Sequence, residues 1–323
     1  MKAVDKAISQ LTVPTPFAVG DVHVYLLKGD ALSLIDAGVK TKEAWEALKT
    51  QLKVLGYAPN DIEQIILTHH HPDHTGLLEQ FPRAEAIAAH ANVDVWLRRD
   101  EAFFTRYKQF FEQLFTACGV PNEMMPSSSE LRGSLKFAGK GQLTASLAEG
   151  DTLPGHDDWH VVETKGHAQG HLSFLRKRDG AFIGGDHLLH HVSPNPLLEP
   201  PTGDKEERPK SMLQYRANLV KCQSLDIQTV YPGHGETFSD VHDLIPVRLQ
   251  KQEQRANKVY AFLLEKAQTP FELCKQLFPK QYENQLNLTM SETIGQLDYL
   301  EAEGLVTKTS QEGISIYRAV RQV

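Results

Sequence analysis

The segment Thr68-His69-His70-His71-Pro72-Asp73-His74 concentrates side chains that hold metal ions: four of the 15 histidines fall between positions 69 and 74, with Asp73 among them. Ahead of it runs Ile65-Ile66-Leu67, apolar, short and β-branched, which predicts a buried strand. If the chain stays extended through His71, side chains two apart share a face. His69 and His71 then aim at one point and His70 turns away. Pro72 stops the strand, and Asp73 and His74 come round on a turn that opens into Thr75-Gly76-Leu77-Leu78. One loop thereby offers two imidazoles to one cation and a carboxylate plus an imidazole to a second. A solvated polar loop is the plain alternative, but ligand atoms this dense serve no packing purpose.

The pattern H-x-H-x-D-H resembles the metal signature of the metallo-β-lactamase fold superfamily, and the rest of the chain holds matching elements in order. His167 lies in Gly166-His167-Ala168-Gln169-Gly170-His171, similar to the family's G-H-x-x-G-H turn. Asp186 follows Ala181-Phe182-Ile183-Gly184-Gly185, a strand ending in glycines that permit close backbone approach. His234 lies in Pro232-Gly233-His234-Gly235, similar to the family's P-G-H-G turn. Ile35-Asp36-Ala37-Gly38 resembles an early I-D-x-G element, in which Asp36 orients ligands from behind.

The resemblance implies a first ion held by His69, His71 and His167, a second by Asp73, His74 and His234, and Asp186 bridging both. Nitrogen and carboxylate donors without thiolate suit two divalent ions, zinc first, with iron or manganese as alternatives. It further implies hydrolysis by a metal-bridging hydroxide. Asp73 and Asp186 are then the catalytic carboxylates, Asp73 able to shuttle a proton. A histidine at 71 disfavours the redox branch, which has a glutamate there. Asp186 separates the chain from the β-lactam-cleaving branches, which lack that carboxylate. His171, His190 and His191 are further candidates for hydrogen bonds to substrate.

The elements that must position these residues read as a mixed α+β chain, and the resemblance makes it an αββα sandwich. Residues 21–27 and 31–36 read as strands around Lys28-Gly29-Asp30, a hairpin signal. Trp45, Leu48, Leu52 and Leu55 repeat at helical spacing over 42–55. Residues 90–135 predict a helical insertion: Trp96, Phe103, Phe104, Tyr107, Phe110, Phe111 and Phe115 recur at helical spacing, five of the 14 phenylalanines. That row must bury against a metal-cleft substrate, against the core, or in a homodimer interface. Four prolines between 194 and 201 predict an irregular loop suited to a pocket wall. Residues 1–245 are expected to form the catalytic domain. From 246 to 323, helices at 247–266, from Thr269-Pro270, and at 290–301, then a hairpin around Glu312-Gly313, look like a small winged-helix domain.

Composition narrows the classes. The net charge of −7 and a near balance of ten basic against nine acidic residues after 245 argue against nucleic acid as partner. No stretch reaches the about 18 apolar residues of a membrane span, and Met1-Lys2-Ala3-Val4-Asp5-Lys6 leads into no apolar leader. Three isolated cysteines, Cys118, Cys222 and Cys274, fit a reducing cytoplasm. The chain resembles the glyoxalase II-like and lactonase-like hydrolases over roughly residues 15–240. It departs from the former at Ala168-Gln169, where Thr-Pro is usual, and in its C-terminal region. The expected substrate is a small-molecule ester, thioester or lactone. Phosphodiester or RNA cleavage by a relative of the same superfamily, and a non-catalytic metal-stabilised binding protein, are the alternatives.

Overall fold

The computed structural model describes residues 7–202 and 207–321. The N-terminal residues on which the leader reading rests lie outside them. Contacts group the chain into two compact units built from alternating segments. One holds the chain up to Glu101, then Arg132–Pro194 and Ser224–Val241. The other holds Ala102–Leu131, Asn195–Gln223 and the chain from His242 onward. The two units alternate along the chain, three segments to each.

The first unit is a pair of mixed sheets. One runs in spatial order β1 (Ile8–Val13), β2 (Val22–Lys28), β3 (Leu32–Ile35), β4 (Gln64–Ile66), β5 (Ala86–Ala89) and β6 (Ala145–Ser146). β1, β2 and β3 are antiparallel, and β3 to β6 run parallel. The other sheet contains β7 (Thr152–Leu153), β8 (His156–Glu163), β9 (Leu172–Arg176), β10 (Ala181–Gly185) and β11 (Thr229–Pro232), antiparallel except for the β10–β11 pair. Tyr25, Ile35 and Ile66 of the first sheet share one buried cluster with Trp159, Phe174 and Ile183 of the second, so the sheets face one another across an apolar layer. The opposite face of the first sheet is covered by α1 (Lys42–Val54), started by the Thr41 hydroxyl capping Ala44 N–H. Its Ala44, Leu48 and Leu52 are fully buried against Val24, Leu34 and Ile65. Two single-turn α-helices also lie in this unit: α2 (Pro72–Thr75) and α3 (Asp94–Leu97).

The second unit is helical, with a small hairpin. Its helices are α4 (Glu101–Ala117), α5 (Ser128–Leu131), α6 (Ser211–Gln223), α7 (Val241–Glu265), α8 (Pro270–Leu277) and α9 (Leu286–Ala302), and its hairpin pairs β12 (Val306–Gln311) with β13 (Ile314–Ala319). The Thr269–Glu272 capping box and Pro270 start α8 as the sequence predicts. The aromatic row of α4 buries in this unit: Phe111 and Phe115 share a cluster with Phe271, Cys274, Met290 and Ile294. The segment after the proline-rich stretch is tied to α9 by a bidentate pair, Arg208 to Asp298 at 2.6 and 2.8 Å. Trp96 departs from the expected helical row. It sits on α3, in the first unit, where its ring serves a histidine. Among the described residues no helix is long and apolar enough to cross a membrane.

Candidate metal centre

Four chain segments bring ligand atoms to one end of the paired sheets. The ladder of β4 ends at Ile66, shorter than the extended run expected through His71. The chain nonetheless stays straight, held by Leu67 N–H on Ala88 O and Leu172 N–H on Thr68 O, both 2.8 Å. His71 is still extended, with φ −63° and ψ 152°, and Pro72 then opens the single turn of α2 that carries Asp73 and His74. His167 comes from the turn between β8 and β9. Asp186 and His234 follow the ends of β10 and β11, which are parallel and so finish on the same side.

The structure brings all seven candidate ligands together. His69, His71 and His167 form one group, and Asp73, His74 and His234 another. Asp186 groups with His69 and His74, and the ligand atoms of each group lie within 4.8 Å of one another. His71 Nδ1 lies 2.9 Å from both His69 Nε2 and His167 Nε2. One ring nitrogen has a single lone pair or a single proton, so it cannot satisfy two partners as ordinary hydrogen bonds. Three nitrogens around one zinc at tetrahedral angles would be spaced about 3.3 Å, close to this arrangement. In the second group His234 Nε2 is 3.4 Å from Asp73 Oδ2. Asp186 faces both groups: its Oδ2 is 3.6 Å from His167 Nε2 and 3.6 Å from His234 Nε2, and its Oδ1 is 3.4 Å from His74 Nε2. His74 Nε2, His234 Nε2 and Asp186 Oδ1 are buried with no hydrogen-bond partner. Polar atoms buried this way are costly unless an ion takes them, so the residues fit two ions.

The backs of the His74 and His234 rings are held. Asp36 takes the left-handed backbone, φ 65°, a conformation that a non-glycine residue adopts at a cost. Its Oδ1 accepts Thr68 N–H at 2.7 Å, and its Oδ2 accepts the Thr68 hydroxyl at 2.8 Å and His74 Nδ1 at 2.7 Å. That bond fixes the His74 tautomer, leaving Nε2 as the ligand atom. His234 Nδ1 donates to Asp21 O at 2.7 Å, with the same effect. The Pro232–Gly235 turn is then clamped by β2. Tyr25 Oη donates to Pro232 O at 2.6 Å, His23 N–H donates to Gly233 O at 2.7 Å, and His23 Nε2 lies 2.6 Å from Gly235 O. Sequence reasoning singles out Asp36 but passes over Asp21, His23 and Tyr25. Nothing local marks them, because each acts on a turn more than 200 residues away.

Electrostatics divide the two groups. Burial, aided by neighbouring imidazoles, holds His69 and His71 well below the usual histidine range, so both are neutral and ready to ligate. Burial acts the same way on His74 and His234 but is outweighed, chiefly by Asp186, and both sit above the usual range. Asp186 and Asp73 are held below the usual carboxylate range despite burial, His74 being the largest opposing influence on each. Without metal, His74 and His234 therefore bind protons that an ion must displace. Lower pH fills those sites with protons and higher pH frees them. The zinc-induced rise in melting temperature should thus be larger at pH 8 than at pH 6, as scanning calorimetry of metal-free and zinc-loaded protein would read. An equal rise at both pH values would contradict this proton competition.

His70 stays out of the ligand groups, as the strand geometry predicts. Its ring stacks on Trp96 with centroids 4.0 Å apart and planes 14° apart, and burial pushes it down to about 3. His171 is buried with both ring nitrogens engaged by the protein. His190 and His191 are exposed; the first pairs with Asp240 at 3.2 Å, and the second lies against Gly235, leaving no room for a Cβ there. All three cysteines are free thiols and buried.

The comparisons agree with this geometry. The Metallo-beta-lactamase superfamily profile matches residues 18–234. The chain is 44% identical over 308 residues to the Probable metallo-hydrolase YqjP of Bacillus subtilis (strain 168), covering 95% of this chain and 96% of that one. It is 24% identical over 251 residues to an Atrochrysone carboxyl ACP thioesterase of Aspergillus fumigatus, covering 76% of this chain and 61% of that one. The crystal structure of a metallo-beta-lactamase family protein from Thermus thermophilus superposes with a TM-score of 0.81 at 27% identity, covering 98% of this chain and all of that one. The fold is accordingly the αβ/βα sandwich of two mixed sheets, with a helical insert, C-terminal helices and a small hairpin. The chain belongs to the metallo-beta-lactamase superfamily, as a metallo-hydrolase with His/Asp metal-binding clusters.

Proposed function

We propose that this protein hydrolyses a small-molecule ester, thioester or lactone with two divalent ions, zinc being the metal its donors suit best. The carrying observation is the Asp186 carboxylate, whose Oδ2 is equidistant, at 3.6 Å, from a ring nitrogen of each histidine group. His69, His71 and His167 hold one ion and Asp73, His74 and His234 the other, with Asp186 between them. Two such ions supply a water that ionises near neutral pH and an electrophile for the substrate oxygen. The donors are gathered in a buried cup, His69 and His71 neutral and Asp73 and Asp186 anionic, while His74 and His234 give up a proton as an ion binds. Asp73, kept ionised chiefly by His74, is our candidate to take a proton from the reacting water.

A carbonyl rather than phosphate substrate is supported by the chain's acidic balance and by the thioesterase name of one relative. The same acidic balance excludes nucleic acid from our reading of its partners. The glyoxalase II-like or lactonase-like branch remains our assignment on the motif pattern. We read residues 246–323 as winged-helix-like, on the strength of helices α8 and α9 followed by the β12–β13 hairpin, and as a packing or homodimerising appendage. Three free buried thiols support a cytoplasmic location.

The test is turnover of a panel of lactones, acyl thioesters and bis-p-nitrophenyl phosphate by metal-replete protein, together with Asp186→Ala. Carbonyl substrates should turn over and the phosphodiester should not. Asp186→Ala should retain one ion and lose about 100-fold or more in rate. Full activity in that variant would refute the two-ion reading, and preferential phosphodiester cleavage would refute the substrate class.

A further inference from the structure

The turn that carries His167 ends in a second histidine, His171, which neither ligand group uses. Its Nε2 lies 3.0 Å from the backbone N–H of Asp186. An amide can only donate, so Nε2 carries a lone pair, and in the neutral ring Nδ1 carries the proton. Nδ1 lies 2.8 Å from Thr164 Oγ1, which is therefore an acceptor here. The Thr164 hydroxyl in turn lies 2.8 Å from Ser173 Oγ, and Ser173 donates to Gly184 O at 3.1 Å. Every proton in this chain of four bonds is directed, because both ends are backbone groups of one strand end: the Asp186 amide and the Gly184 carbonyl.

That strand end is irregularly paired. Pairing of β10 with β9 stops at Ile183, and its register against β11 shifts between Ile183 and Gly185. Gly185 has φ 49°, and a Cβ there would stand 2.8 Å from His171 Nε2. Close approach of the imidazole to the backbone thus depends on glycine at this position. All three side chains are buried, His171, Thr164 and Ser173 at 0% exposure, so none of these bonds is exchanged with water.

We infer that His171 is a positioning residue, which aims the Asp186 carboxylate by holding its backbone amide, and that Thr164 and Ser173 lock the tautomer it needs. The inference rests on Asp186 facing two ions. Three variants test it: His171→Leu removes both bonds, Thr164→Val removes only the tautomer lock, and His171→Gln restores an acceptor at similar reach. Stepwise zinc affinities are measured by chelator competition, and the melting temperature of the metal-free form is followed beside them. His171→Leu should weaken the weaker of two zinc sites by about 10- to 100-fold. Thr164→Val should weaken the same site less, and His171→Gln should recover part of the loss. A merely structural histidine would lower the metal-free melting temperature and leave both affinities unchanged, which overturns the inference. If His171→Leu does not fold, unchanged affinities in Thr164→Val overturn it. A wild-type protein that binds a single ion would sink the two-ion reading instead. A loss of that ion in His171→Leu would then still support the aiming of Asp186, and its retention would refute it.

Discussion

Replacing Gly233 by alanine should empty the second metal position and remove at least about 99% of the hydrolytic rate. A Cβ at 233 would stand 2.2 Å from Asp186 Oδ1, 3.0 Å from His74 Cε1 and 3.2 Å from the Gly185 carbonyl carbon. The backbone at 233 is not left-handed, so alanine is tolerated conformationally and the effect is steric alone. The two nearest atoms belong to ligand side chains, and neither can retreat without leaving the centre. Asp186 is also pinned from behind by its amide, and His74 by Asp36. Metal content by plasma emission spectroscopy and rate on the best carbonyl substrate would read the outcome. Gly133→Ala serves as the control, since nothing lies within 4 Å of a Cβ there and its φ is not left-handed. Full metal content in Gly233→Ala would mean that the Asp186 carboxylate is not needed where it stands.

Asp36 should show the second large effect, and its two substitutions should differ in kind. Asp36→Ala strands Thr68 N–H, the Thr68 hydroxyl and His74 Nδ1–H, all in a fully buried site. Each abandoned donor costs about 1–3 kcal/mol, so a loss on the order of 3 kcal/mol or more is expected in urea unfolding. Asp36→Asn should keep the fold, because asparagine tolerates the left-handed backbone and retains one acceptor oxygen. It loses the charge that steadies His74, and the affinity for the second ion should fall about 10- to 100-fold. Equal unfolding midpoints for wild type and Asp36→Ala would remove Asp36 from its proposed place in the fold.

Much of the site was legible because its ligands sit beside residues that force turns. Pro72, Gly166, Gly185 and Gly233 each mark a turn after a strand, and a ligand stands within one residue of each. The direction of His70 was legible from the two-residue period of an extended chain, even though the β4 ladder ends earlier than expected. What the sequence hid was partnership over distance. Helical spacing announces α4, but nothing in it says that Phe111 and Phe115 will bury against α8 and α9 rather than against the sheets. Trp96 fell into the same apolar row by count, and only the short break between α3 and α4 sends it to His70 instead. Asp21, His23 and Tyr25 look like ordinary residues of a strand and its approach, since the backbone partners they hold leave no trace in composition.

The density of the histidine loop has a consequence for the denatured chain. In the folded protein His69 and His71 group with His167, and Asp73 and His74 group with His234, so neither group is complete until distant segments meet. The unfolded chain keeps His69, His70, His71, Asp73 and His74 as neighbours, and that stretch chelates without any fold. His70, idle against Trp96 in the native state, becomes a competent ligand once the stack is lost. A divalent ion that binds both ends of the folding equilibrium would protect against unfolding by less than its native affinity alone would give.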